Sequence, residues 1–186
     1  MKPTKLVTAG ITCAAGALVA VTALSTSAYA IPPEARSVTF TCNDPSGAIF
    51  GPSPFTATLS SSASSPTLPQ KMKVSTSIGQ NTAVPANSAA IVLRTIQTSS
   101  GGSGVGTVHD FAGSTHPAWG PWPMVIGPIP ALARIPAGTN VRLKDTSAAP
   151  PSATNWSLRL TNPLAGPGWD IYCSGYQTFG SLDFGF

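Results

Sequence analysis

Residues 36–42 read RSVTFTC, a stretch in which apolar and polar side chains alternate. Val38, Phe40 and Cys42 fall on one face of an extended chain, whereas the residues between them carry hydroxyl groups. Successive side chains of a β-strand point to opposite faces of its sheet, so this alternation predicts a strand with one buried face. Because the same period of two recurs along the chain, it indicates an all-β fold.

Further stretches with the period of a strand follow, separated by clusters of Gly, Pro, Asn and Ser. They read FTATLS (55–60), KMKVSTSI (71–78), AAIVLRTIQ (89–97), VGTVHDF (105–111), MVIGPI (124–129), NVRLK (140–144), NWSLRLT (155–161), WDIYCS (169–174) and SLDFGF (181–186). The 19 prolines leave no window of helical length with a period of 3.6 and no breaker. The sequence therefore predicts a single immunoglobulin-like or related β-sandwich of about 8–10 short strands.

The first 30 residues have the pattern of a secretory signal peptide. Two lysines precede an apolar run, and the segment ends in the small residues Ala28 and Ala30 that signal peptidase accepts. A spanning helix is the alternative, but glycines break the run and no charged flank follows it. We expect residues 1–30 to be cleaved, residues 31–186 to form one secreted domain, and no membrane span to remain.

Two cysteines remain after this cleavage, Cys42 near the start of the domain and Cys173 near its end. In an exported protein such a pair is typically oxidised, and neither cysteine has the CxxC spacing or neighbouring histidine of a reactive thiol. We therefore predict one disulfide that joins an N-terminal strand to a C-terminal strand. In the loop-entropy description it stabilises the fold by about 4 to 5 kcal/mol.

The charge of the predicted domain is small. Of ten basic residues two lie in the leader, which leaves eight against six acidic residues and a net charge of +2. The basic residues are scattered and form no cluster. Because nucleic-acid binding requires a concentrated basic patch, the sequence argues against a nucleic-acid partner.

The search for catalytic groups finds no motif. His109 and His116 do not have the spacing of a metal pair, and no cysteine or acid cluster completes a ligand set. His109 and Asp110 are neighbours on a predicted strand, so their side chains point to opposite faces, which is poor geometry for a base and its orienting acid. We predict no catalytic residue, no metal site and no cofactor, and classify the chain as a non-enzyme.

The stretch HPAWGPWPMVIGPIP (116–130) concentrates aromatic and aliphatic side chains on a backbone rich in proline. With GPGWDIYC (166–173) it supplies a candidate binding surface. Its members are Trp119, Trp122, Met124, Trp169 and Tyr172. Tryptophan offers a large contact area at low entropic cost, as recognition surfaces require. The alternative is that the stretch covers an open end of the sandwich, while its prolines keep an edge strand from pairing.

Several of these stretches together resemble small secreted actinobacterial proteins of uncharacterised β-sandwich families. The stretches are VTFTCNDP (38–45), FTATLS, KMKVSTSI, NVRLK and IYCSG (171–175). The resemblance implies a disulfide-closed sandwich and offers no catalytic residues to carry over. The stretch with Trp119 and Trp122 departs from the family pattern, which leaves room for a binding role of its own.

Three functions are compatible with these observations. The first is a non-enzymatic secreted module that binds a protein partner or serves as an adaptor in an extracellular or cell-surface assembly. The second is a carbohydrate or cell-wall binding module that stacks sugar rings on Trp119, Trp122 and Trp169. The third is a secreted hydrolase with an unrecognised site. All three place the protein outside the cell, free or associated with the cell wall; the sequence makes no prediction of oligomeric state.

Overall fold

A computed structural model of the chain describes residues 31–44, 53–65, 68–76, 85–98, 104–114, 125–161, 170–178 and 183–186. The predicted signal peptide, residues 1–30, lies outside these residues. The described residues form ten β-strands and no helix. The strands are β1 (Ala35–Cys42), β2 (Phe55–Ser61), β3 (Lys71–Ser75), β4 (Ala90–Thr98), β5 (Gly104–Ser114), β6 (Val125–Pro130), β7 (Asn140–Leu143), β8 (Leu158–Thr161), β9 (Ile171–Gln177) and β10 (Phe184–Gly185).

All strand pairs are antiparallel, and the sheet follows the order β10-β7-β4-β8-β9-β1-β2-β3-β6, with β5 on the other edge of β4. An antiparallel bridge between Phe111 and Ala131 then brings β5 beside the end of β6. Pro128 and Pro130 of β6 have no amide hydrogen, which limits the ladder at this seam. The sheet therefore folds over on itself and encloses one core, which confirms the predicted all-β sandwich.

The core lies between the inward faces of the strands, as the period of two predicts. In β1, Val38 and Phe40 are fully buried, and the hydroxyl-bearing residues between them lie on the outer face. The ring of Phe40 packs 5.8 Å from that of Phe55, and Phe111 packs 6.0 Å from Phe186, centroid to centroid. Each such ring contributes roughly 1.5–3 kcal/mol of apolar burial.

The predicted disulfide is present between Cys42 and Cys173. The two residues are direct partners in the register of β1 and β9, with Cα atoms 4.0 Å apart. Asn43 donates its backbone N–H to the carbonyl of Tyr172 at 2.9 Å, so the cysteines occupy the neighbouring pair without backbone hydrogen bonds, where side chains approach most closely. The bond thus joins an N-terminal strand to a C-terminal strand across 131 residues of sequence.

The last strand closes one end of the sandwich. Phe184 and Phe186 are buried in the core, and Asp183 holds the segment through its carboxylate. That carboxylate accepts hydrogen bonds from the Nε atom of Arg142 at 2.8 Å and from the hydroxyl of Thr98. These contacts fix β10 against β7 at this end of the sandwich.

Candidate binding surface at the loop end

Strand direction brings four chain connections to one end of the sandwich. The strands β1, β3, β5 and β8 finish there, and the strands that follow them in the chain, β2, β4, β6 and β9, begin there. We call this end the loop end. It is marked by three sets of register partners: Cys42 with Cys173, Ser75 with Val125, and Ala90 with both Ser114 and Thr161.

Four of the five residues predicted for the binding surface lie outside the described residues: Trp119, Trp122, Met124 and Trp169. The residues that flank their segments are described. Ser114, which ends β5, and Thr161, which ends β8, are both register partners of Ala90 at the start of β4. The two tryptophan-bearing segments therefore leave the sheet from adjacent strands, one on each side of β4.

Tyr172, the fifth predicted residue, lies half-buried at the loop end in a polar network. Its hydroxyl donates to Oδ2 of Asp170 at 3.1 Å, and the hydroxyl of Thr161 donates to Oδ1 of the same carboxylate at 2.8 Å. The backbone N–H of Tyr172 donates to Oδ1 of Asn43 at 2.7 Å. We call Asn43, Thr161, Asp170 and Tyr172 the polar rim. The rim ties the end of β1 to the facing ends of β8 and β9.

The environment of Tyr172 keeps its phenol protonated. Desolvation, and after it the hydrogen bond and the negative charge of Asp170, raise the pKa of Tyr172, although the charge of Arg159 lowers it in part. The phenol therefore remains a hydrogen-bond donor at neutral pH, with its oxygen held beside a carboxylate. Such a rim can offer a ligand both an aromatic face and fixed acceptors.

Trp156 is two residues before Leu158 and four before Leu160, but it does not share their place in the core cluster. Trp156 is 7% exposed, but it is not part of the main core cluster. It precedes β8, where the alternation of a strand does not yet apply, and its ring lies beneath the guanidinium groups of Arg94 and Arg159, 4.0 and 5.3 Å from the centroid. Guanidinium groups at these distances from an aromatic ring make cation–π contacts.

Arg94 is fixed above Trp156 by a bidentate ion pair. Its Nε and Nη2 atoms donate to the two carboxylate oxygens of Asp110 at 2.9 and 2.8 Å. These hydrogen bonds, which outweigh the effect of burial, raise the pKa of Arg94. The cluster stabilises the outer face of the sheet below the loop end. It depends on the cross-strand register of Arg94 and Asp110, which the sequence alone does not provide.

His109 is a buried residue of β5. His109 lies on the inward side of β5, is 9% exposed, and has its Nε2 atom buried without a hydrogen-bond partner. Asp110 points to the opposite face, as predicted for neighbours on a strand, and is engaged by Arg94. Burial lowers the pKa of His109, although the negative charge of Asp110 opposes this in part. His116 lies outside the described residues.

Within the described ranges, no group of three or more His, Cys, Asp or Glu side chains is arranged to hold a metal ion. The same part of the chain contains no helix whose length and hydropathy would suffice to cross a bilayer.

Comparison of the chain with protein-family models, with curated proteins and with solved structures finds no match. The resemblance to secreted actinobacterial sandwich proteins stays a prediction.

Proposed function

We propose that the protein is a non-enzymatic extracellular binding module that engages a protein partner, or joins components of a cell-surface assembly, through its loop end. The observation that carries the proposal is the convergence of four connections at the end of a sandwich that is fixed by a disulfide between β1 and β9. Binding residues are commonly presented on loops that a rigid sheet scaffold positions.

The composition of the loop end supports this role. Both segments with candidate tryptophans leave the sheet beside Ala90, and Tyr172 stands at the same end. Tryptophan and tyrosine dominate the energetics of protein interfaces because they bury a large area with few rotatable bonds. The polar rim supplies hydrogen-bonding groups around them, as the periphery of an interface requires.

An extracellular location is part of the proposal. The predicted leader, residues 1–30, supports export, and a disulfide persists in an oxidising compartment but is rare in a reducing one. Because the Cys42–Cys173 bond fixes β1 to β9, it also keeps the facing ends of these strands together at the loop end.

Carbohydrate or cell-wall binding is the second candidate, and the polar rim is the observation that favours it. Tyr172 presents an aromatic ring whose hydroxyl is bound to Asp170, and Asp170 directly follows Trp169 in the chain. An aromatic face for stacking, next to carboxylate and amide acceptors for hydroxyl groups, is the combination that a sugar ring needs.

The test compares two tyrosines of the same strand, Tyr172, which is half-buried, and Tyr176, which is exposed. Tyr172 and Tyr176 both lie on the outer side of β9, but only Tyr172 belongs to the loop end. We expect Tyr172→Ala and the double variant Trp119→Ala/Trp122→Ala to lose binding, and Tyr176→Ala to retain it. To test for a protein partner, culture supernatant is passed over the immobilised protein, and cross-links to any retained protein are mapped by mass spectrometry. Co-sedimentation with purified cell-wall polysaccharide tests the second candidate. Cross-links confined to the opposite end would contradict the proposal.

A further inference from the structure

A groove of about 420 Å³ lies on the outer face of the sheet, near the end opposite the loop end. It crosses the start of β1, the end of β2 and the middle of β3, and its volume falls in the range of small-molecule sites. We call it the lysine groove and define it by six of its lining residues: Pro33, Ala35, Ser60, Ser62, Lys73 and Pro128. It is separate from the surface discussed above.

Small side chains and a distortion of β6 create the groove. Ser60 stands opposite Ala35 on one side and Lys73 on the other, so two of these three neighbouring positions carry small side chains. The register between β3 and β6 shifts beside Gly127, whose φ is +96° and whose added Cβ would lie 2.6 Å from the carbonyl oxygen of Met72. Only glycine fits there, and the bulge presents Pro128 as a wall.

Two polar groups of the groove are already engaged within the protein. The Glu34 carboxylate accepts a hydrogen bond from the backbone N–H of Gly185 at 3.0 Å and lies 3.4 Å from the Nη2 atom of Arg36. The hydroxyl of Ser61 accepts a hydrogen bond from the backbone N–H of Glu34 at 3.1 Å, and Ser61 is buried. These groups build the groove and are not its ligand-binding atoms.

The remaining polar side chains are those of Lys73, Ser60 and Ser62. Across the described part of the chain, none of the three side chains takes part in a hydrogen bond or ion pair. Lys73 and Ser60 are direct cross-strand partners, and Ser62 donates its backbone N–H to the carbonyl of Lys71 at 2.9 Å, which places it one pair further along the same face. Lys73, Ser60 and Ser62 therefore share one face of the sheet, and all three line the groove.

This set of donors matches one carboxylate. A lysine supplies a single positive charge with three donors, and each hydroxyl adds one more, which is enough for the two oxygens of a monoanion. A phosphate carries more charge than the single ammonium of Lys73 can neutralise, and it has a third oxygen to satisfy. Pro33 and Pro128 offer apolar surface to the carbon atoms of the ligand. We propose that the lysine groove binds a small monoanionic ligand through its carboxylate group.

The test is a titration of the isotope-labelled protein, followed by the amide signals of Ser60, Ser62 and Lys73 in two-dimensional NMR spectra. Sodium glucuronate and N-acetyl-alanine serve as carboxylate probes, glucose and N-acetyl-alanine amide as neutral counterparts, and inorganic phosphate as the competing anion. We expect saturable shifts with at least one carboxylate and none with its neutral counterpart. Saturation by glucuronate alone identifies a sugar acid, and saturation by N-acetyl-alanine alone identifies a peptide C-terminus.

A pair of lysine variants completes the test. Lys73→Gln should raise the dissociation constant by about tenfold or more, since a charge-assisted contact is lost. Lys144→Gln, which changes a partly buried lysine outside the groove lining, should bind as the wild type does. The proposal is overturned if neither carboxylate saturates the shifts, if phosphate binds more tightly than both, or if Lys73→Gln retains wild-type affinity.

Discussion

The backbone of Gly175 lies directly against the ring of Phe40. A Cβ atom added to Gly175 would stand 2.6 Å from Cδ1 of that ring and 2.9 Å from the carbonyl oxygen of Thr39. Phe40 is fully buried and packed on Phe55, so its ring has no free space to move into. The pairing of β1 with β9 thus depends on the absence of a side chain at this position.

The first prediction follows from this contact. Gly175→Ala should lower the free energy of unfolding by about 1–3 kcal/mol, because the added methyl group overpacks a filled core. Gly185→Ala is the matched control, since a Cβ there would lie at an ordinary 3.7 Å from Oδ1 of Asn140. Urea unfolding of both variants measures the difference. Equal stabilities of the two variants would show that the ring of Phe40 can move to make room for the added methyl group.

The second prediction concerns the disulfide. Replacing both Cys42 and Cys173 by serine should cost about 4–5 kcal/mol of stability, because the unfolded chain regains the freedom of a loop of 131 residues. Serine fits the 4.0 Å Cα separation of this register pair, so the strands themselves should still form. Denaturant unfolding of the double variant, with thiol titration of the wild type to confirm oxidation, makes the comparison. Free thiols in the native wild-type protein would contradict this prediction.

Local patterns in the sequence were sufficient to predict much of the fold. In RSVTFTC the apolar positions Val38 and Phe40 are buried and the hydroxyl positions are not, because burial on one face of a sheet follows the strand period directly. The pairing of Cys42 with Cys173 followed from the presence of two cysteines in the predicted domain. Neither inference needed the order of the strands in the sheet.

Properties that depend on which strands are neighbours could not be predicted. The bridge between Phe111 and Ala131 that brings β5 beside β6, and the placement of Ser114 and Thr161 on either side of Ala90, are contacts between distant parts of the chain. A single sequence does not show which strands pair or in what register, and the register decides which side chains are in contact. The loop end as a shared surface therefore became visible only in the structure.

The third prediction tests the cluster that sequence reasoning missed. Arg94 contacts Trp156 through its guanidinium face and Asp110 through its edge. In a double-mutant cycle of Arg94→Ala and Trp156→Leu, we expect a coupling energy of about 0.5–2 kcal/mol, as cation–π pairs of partly buried residues give. A cycle of Arg134→Ala with the same Trp156 variant is the control, because Arg134 is exposed and its Nη2 atom donates to Ser65 instead. A coupling energy near zero between Arg94 and Trp156 would show that their contact does not stabilise the fold.

The fourth prediction is a pH dependence that originates at His109. Burial lowers the pKa of its ring below the ordinary value of 6.5, and its buried Nε2 atom has no partner. The unfolded chain therefore binds a proton at a higher pH than the folded chain does, so the free energy of unfolding should fall as the pH drops below about 6.5 and level off below the folded pKa.

Urea unfolding between pH 7.5 and about 5 measures this slope, above the range in which carboxylates with ordinary pKa values are half protonated. His109→Gln should flatten the slope, because glutamine carries no titrating group, and it should do so even if the variant is less stable at every pH. His116→Gln removes the other histidine and should leave the slope unchanged. If the slope survives in His109→Gln and disappears in His116→Gln, the proton is bound elsewhere and the buried ring at position 109 does not couple folding to pH.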